Sequence, residues 1–385
     1  MNFLRRLRNP VNNSRFFDYS LLFLIIFLVG FGLVMLYSVS SYEAMSQFHD
    51  AAFYLKRQLR SVLIGLVFML FFSQVRYTFW KRIAKGAYIF SILLCFAVII
   101  AGTSYNNSQR WLNIGGVSFQ PSEFAKIAVI VFLASVLCRI PRQISSFRTV
   151  LKVLAYLIPV LIPIAATNLS TAIIIAGIAV IMMFVVSPKY SHFLGLIVAG
   201  AGAAGIFTLL AGYRSVRIKA WLHPDQYPND VYQTLQGLYA LGSGGLFGKG
   251  LGNSIQKMNY VPEAQNDFIF TIITEELGLF GAIGVLLLFG LLIWRFMVIA
   301  NNARDLFASL LVIGVMGHIA LQVILNIAVV TNTIPNTGIT LPFISYGGTS
   351  VIMLLAEMGL VLGVSRSIPL HTGENAKESA VHYEH

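Results

Sequence analysis

Asp267 is the residue of this chain whose type and position most invite chemistry. It follows Pro262-Glu263-Ala264-Gln265-Asn266 and immediately precedes the apolar run Phe268-Ile-Phe-Thr-Ile-Ile. A carboxylate at the mouth of a helix can act as a general base or serve as an ordinary N-terminal cap. Glu275 and Glu276 come about two turns deeper. At ~1.5 Å per residue, Glu275 would lie roughly 12 Å from Asp267 along the axis, beyond the ~5–9.5 Å of a hydrolytic carboxylate pair. A two-carboxylate hydrolase on this helix is thereby disfavoured. The same hydrophilic stretch, 212–267, carries Arg214, Arg217, Lys219, Lys249, Lys257 and Glu263, so an acceptor for a proton and cations for an anionic group occur together.

Four other clusters have the types to contribute. Gln120-Pro121-Ser122-Glu123-Phe124-Ala125-Lys126 sets Pro121 in a first helical turn and puts Glu123 and Lys126 on one face, as a site pair or as a structural ion pair. Arg110-Trp111, just upstream, reads as an interfacial anchor or as a further cation for the site. The glycine cluster Gly242–Gly252 invites a phosphate-loop reading, but Ser243 stands where that loop needs its first glycine, and Gly250 follows Lys249 where Ser or Thr is required. It is not a nucleotide loop, although a glycine-rich backbone can approach a lipid pyrophosphate closely or simply pack flexibly. Finally, Pro335–Ser350 is a Pro- and Gly-broken segment containing Ser345 and Tyr346; at membrane depth it must be covered by protein or line a cavity. Gln322 and Asn326, four apart, could hydrogen-bond to it or act as plain interhelical glue.

The elements that must position these residues are membrane helices. The chain is 57% hydrophobic and 11% charged, and its apolar runs of about 18 to 25 residues each suffice to cross a bilayer. They lack the alternation of a barrel strand, so the expected fold is an all-α integral membrane protein. Ten spans are expected, at about 19–38, 59–75, 83–103, 121–138, 149–166, 169–187, 191–211, 268–296, 306–330 and 344–364. The first is too long for a cleaved signal peptide. Loop charges place both termini in the cytoplasm and leave 212–267, between spans 7 and 8, as one large extracytoplasmic loop. Its cations, like Lys56 and Arg57 in the first outer loop, oppose the charge bias, and an anionic ligand would account for them. The net charge of +12 is dispersed among short loops, which reads as membrane orientation and not as nucleic-acid binding. Cys95 and Cys138 read as small buried hydrophobes. Residues 1–18 form a basic N-terminus, 19–366 the membrane domain and 367–385 a polar, disordered cytoplasmic tail.

Several separated segments together resemble the SEDS family (FtsW, RodA, SpoVE) over nearly the whole length. They are Arg110-Trp111, Gln120–Lys126, Tyr232-Gln233 leading to Gly244–Gly252, Pro262-Glu263, Asp267–Phe270 with Glu275-Glu-Leu-Gly278, and Leu341-Pro-Phe-Ile-Ser-Tyr-Gly-Gly348. Asn253-Ser254-Ile-Gln-Lys257 leans toward FtsW or SpoVE and away from RodA. The resemblance implies a peptidoglycan glycosyltransferase of the bacterial cytoplasmic membrane that polymerises lipid II on its outer face, with a class B penicillin-binding protein and other divisome or elongation proteins as partners. It puts Asp267 at the position of an essential aspartate and Glu123 with Lys126 at a charged pair. Lys249, Lys257, Arg214, Arg217 or a divalent cation such as Mg2+ or Mn2+ would neutralise the pyrophosphate, with Arg110, Glu263, Glu275, Ser345 and Tyr346 supporting. Asn168-Leu-Ser-Thr171 and Gln265-Asn266 depart from the family's Asp-Leu-Gly-Thr and His-Thr. A lipid-linked sugar flippase and a noncatalytic divisome scaffold are the rival functions.

Overall fold

The computed structural model describes residues 17–105, 108–114, 117–140, 146–187 and 212–368, together with His192, Phe193, Gly195, Gly200, Gly202 and Gly205. The expected span at 191–211 therefore lies almost wholly outside the described residues, as does the tail beyond residue 368. The chain is mostly helical. Among the described residues, six helices are long and apolar enough to cross a membrane: α1 (Tyr19–Phe48), α3 (Tyr77–Ala101), α7 (Leu169–Val186), α10 (Ile269–Asn301), α11 (Leu306–Val330) and α12 (Gly348–Ser365). A seventh arises if α5 (Phe147–Ala155) and α6 (Ile158–Thr167), bent by 56°, are one broken span. Pro159, in the first turn of α6, explains the bend, since it cannot donate the amide bond that would continue α5. Two further helices fall on expected spans: α2 (Phe53–Gln74), whose first two turns carry Lys56, Arg57 and Arg60, and the 17-residue α4 (Pro121–Leu137).

Local chemistry sets several boundaries. The carboxylates of Asp18 and Asp305 accept from Leu21 N and Ala308 N, at 2.9 and 2.8 Å, to start α1 and α11. Asn168, where the resemblance expected an acid, caps α7 through Thr171 N at 3.2 Å. At 30 residues, α1 is roughly 45 Å long and outruns a ~30 Å hydrocarbon core. The stretch before α4 departs from the all-helical expectation: β1 (Thr103–Tyr105), β2 (Ser108–Ile114) and β3 (Val117–Phe119) form an antiparallel sheet in that order. Thr, Tyr, Trp, Val and Phe there suit a pleated, half-buried surface better than a helix.

α4, α11 and α12 lie at the centre, with 67% and 72% of the apolar windows of α11 and α12 buried, against 28% for α3 and α10. α12 packs most extensively on α2, α4 on α3, and α10 on α11. The hydrophilic stretch after residue 211 is not a bare loop. It forms α8 (Gly212–Leu222) and α9 (Pro228–Ser243), and then a turn-rich segment that runs back to α10.

Candidate active site

α10 is broken nine residues from its start, and that break organises everything around it. Gly278 has φ 69° and ψ −168°, a conformation that strains any residue with a side chain. The backbone groups released by the break are taken up by the glycine cluster. Lys249 N and Gly250 N each donate at 2.9 Å to the carbonyls of Glu275 and Glu276, while Leu279 N and Phe280 N donate to Gly245 O and Leu246 O at 2.9 and 3.3 Å. A Cβ on Gly248 would stand 2.2 Å from Glu276 O, and one on Gly278 2.3 Å from Gly248 N. Gly248 and Gly278 thus seat the segment as a plug in a helix break, and their close approach is to the protein's own backbone.

The side chains beneath the plug are fully engaged. Glu275 binds Lys249 Nζ at 2.6 Å and also accepts from Ser243 Oγ, Ser254 Oγ and the amides of Ile255 and Gln256. Glu276 binds Lys257 Nζ at 2.7 Å and accepts from Ser38 Oγ of α1. Lys257, Glu275 and Glu276 are buried. Elsewhere, Lys56 pairs with Asp50 at 2.7 Å, and Arg57 lies over the Phe53 ring at 4.4 Å.

Asp267 is placed differently. It does not cap α10: Phe268 holds the cap position and no side chain bonds the helix amides there. Its carboxylate is buried, and burial pushes its pKa up from 3.8 to about 6; Glu263 adds to the rise, while Arg217 and Arg110 pull against it. Four sequence-chosen residues thus share one electrostatic neighbourhood, although they come from β2, α8 and the segment before α10. The surrounding turns are tied together. Tyr346 N donates to Gln265 O at 2.8 Å, Asn266 Nδ2 to Glu263 Oε2 at 2.9 Å, and Arg217 Nη1 to Asn336 O at 3.3 Å. Ser345 closes its own turn through Leu341 N, and Gln58 of α2 holds Ser345 O and Gly347 N at 3.2 Å. Arg110 donates to Thr167 O at 3.3 Å, so the sheet strand is fastened to the end of α6.

Glu123 and Lys126 form a buried pair at 2.8 Å near the start of α4. Lys249, Lys257 and Glu275 belong to the plug and not to the surroundings of Asp267. The backbone of Arg214 lies in α8, but its side chain falls outside the described residues. Sequence reading missed His318 and Glu357, a buried pair at 2.8 Å between α11 and α12; lone ionisable residues inside apolar spans were the available signal. It also missed Asp18 with Arg295, which lie far apart in sequence and are joined by a bond from Nη2 to Oδ2.

Helices of this length and apolarity, with a buried carboxylate in the field of two arginines just before one of them, define a multi-pass membrane protein. The family described as cell cycle protein, FtsW/RodA/SpoVE, matches residues 19–369. The chain belongs to that family. It is 41% identical to stage V sporulation protein E of Bacillus subtilis over 91% of this chain and 97% of that one. It is 36% identical to a probable peptidoglycan glycosyltransferase FtsW of Trichlorobacter lovleyi over 97% and 100%. Among solved structures, a chain from a peptidoglycan synthase complex that coordinates polymerisation and crosslinking aligns with TM-score 0.74 at 27% identity, covering 91% of this chain and 98% of that one. Thermus thermophilus RodA aligns with TM-score 0.69 at 26% identity over 91% and 97%.

Proposed function

We propose that the protein is a peptidoglycan glycosyltransferase that polymerises lipid II, with Asp267 as general base. The observation that carries this reading is a buried carboxylate, free of the helix cap and held near neutrality by its surroundings, with Arg110 and Arg217 close enough to act on it. A base takes the proton from the acceptor sugar hydroxyl. The hydroxyl oxygen bonds to the anomeric carbon of the donor as the carbon–oxygen bond to the lipid pyrophosphate breaks, and cations stabilise the departing negative charge. Arg217 suits that last role better than Lys249 and Lys257, each of which is engaged by a glutamate, and Arg110 acts on the same carboxylate. Among the described residues no three His, Cys, Asp or Glu side chains are grouped to hold a metal. The donor set fits only an ion that arrives with its own phosphates; Asp267 is the carboxylate that would face it, with Glu263 in the same neighbourhood, and the ion would supply charge neutralisation.

The same reading gives ten spans in the cytoplasmic membrane, both termini inside and 212–267 outside, with a class B penicillin-binding protein as partner. Exposed Asn229 and Asn301 flank the α10 half of the bundle. Cysteines at these positions should react with an impermeant thiol reagent from outside and inside respectively, and the reverse pattern overturns the orientation. Purified protein, alone and with the partner, should make glycan chains from lipid II. Failure under both conditions while lipid II moves across vesicle membranes would favour the flippase.

A further inference from the structure

We infer that Asn326 is a positioning residue for Asp267. The inference rests on the base assignment above and extends it to a residue on a different helix. Asn326 lies on α11, fully buried, one turn from its end. Its Nδ2 donates to Asp267 O at 2.8 Å and to Ile339 O at 2.7 Å. Both partners are carbonyl oxygens, which can only accept, so the amide has one permitted orientation with its NH2 group toward them. One side chain thereby clasps the turn that carries the carboxylate to the segment that covers it.

Two neighbours strengthen the clasp. Gln322, one turn earlier on the same face, donates to Thr340 O at 3.0 Å, next to the residue Asn326 holds. Gly338, with φ 69°, sets its segment beside the carboxylate, where a Cβ would stand in ordinary contact, 4.0 Å, with Asp267 Oδ2. The clasp is not needed to start or end a helix, because α10 begins at Ile269 and α11 continues to Val330. Its product is a fixed position for Asp267 beside the main chain of Gly338 and Ile339. The charged groups facing Asp267 are Glu263, Arg217 and Arg110; none of them touches Asn326, so loss of the clasp acts on burial and geometry, not on charge.

The test is glycan synthesis from lipid II by the full chain in lipid nanodiscs, with turnover expressed per folded molecule. Asn326→Leu keeps the size but donates nothing, and Asn326→Asp keeps the shape but turns a carboxylate toward two carbonyl oxygens. Both should lower kcat by ~10- to 100-fold, the scale of a small misplacement of a reacting group, with KM for lipid II nearly unchanged. The acid limb of the pH profile should move to lower pH, because water reaching Asp267 relieves the burial that raises it. In an Asp267→Asn background, Asn326→Leu should cost little more. Parent-like turnover and an unmoved acid limb in both variants overturn the positioning role. So does an equal fold-loss in the Asp267→Asn background. An Asp267→Asn protein as active as the parent instead overturns the base assignment itself.

Discussion

Two acidic centres lie close together in sequence, Asp267 just before α10 and Glu275 with Glu276 inside it, and their environments are opposite. At Glu275 and Glu276 each carboxylate has its own lysine, a serine hydroxyl and, for Glu275, backbone amides. At Asp267 the carboxylate has arginines in its field, a glutamate opposing them and no helix to cap. Full pairing makes a charge inert and uses it to hold the glycine plug in the break of α10. Incomplete pairing in a buried place leaves a charge that costs stability and is ready to exchange a proton. Three carboxylates within ten residues thus divide by environment alone into two that are paired and one, Asp267, to which the proposed reaction assigns the chemistry.

The sharpest way to break this comparison is Asp267→Asn. Glycan synthesis should fall by ~10²–10⁴-fold, the range for loss of a general base. The same change should make the protein more stable at neutral pH. A pKa raised from 3.8 to about 6 corresponds to ~3 kcal/mol of cost for the charged form at ~1.4 kcal/mol per pH unit. That cost is absent below the unfolded pKa and complete above the folded one, so the gain in thermal unfolding temperature should shrink toward zero between pH 6 and pH 4. A less stable Asp267→Asn protein would mean the carboxylate is paired after all.

The opposite result is expected at the paired centre. Lys257→Met strands Glu276 in a buried site and should cost ~3–5 kcal/mol, with Glu276→Gln recovering part of the loss in the double variant. A rise in KM for lipid II at unchanged unfolding temperature would instead move Lys257 to the substrate. Gly248→Ala forces a Cβ onto Glu276 O and should cost ~3 kcal/mol from strain and overpacking combined. Normal unfolding of that variant would remove the plug from the account.

Smaller effects sharpen the chemical side. Activity of the parent protein should fall as pH drops through about 6, because a base must be unprotonated and Asp267 takes up its proton there. Arg217→Gln removes a charge that lowers the Asp267 pKa, so its acid limb should shift upward, the reverse of the shift expected when burial is relieved. A limb that stays in place separates Arg217 from Asp267. KM should rise only severalfold, as for one cation among several.

Much was legible from one dimension because membrane helices declare themselves by length and apolarity, and because Asp267, Glu123 and Lys126 are ionisable residues set beside such runs. Covalent neighbours carry that information: a helix starts at Pro121, bends at Pro159 and is capped by Asp18, Asn168 or Asp305. What lay outside it was partnership across the bundle. Lys249, Lys257 and Arg217 are alike in sequence as basic residues of one hydrophilic stretch. The fold gives the first two to glutamates and brings the third toward Asp267. The glycine cluster likewise has no readable purpose until Gly278, some thirty residues later, breaks a helix and leaves backbone groups that the cluster reaches because Gly248 has no room for a side chain. Sequence determines which groups exist and which local element each can join. Whether a buried charge is silenced or left reactive depends on which distant groups arrive within a few ångströms of it, and tertiary packing alone decides that.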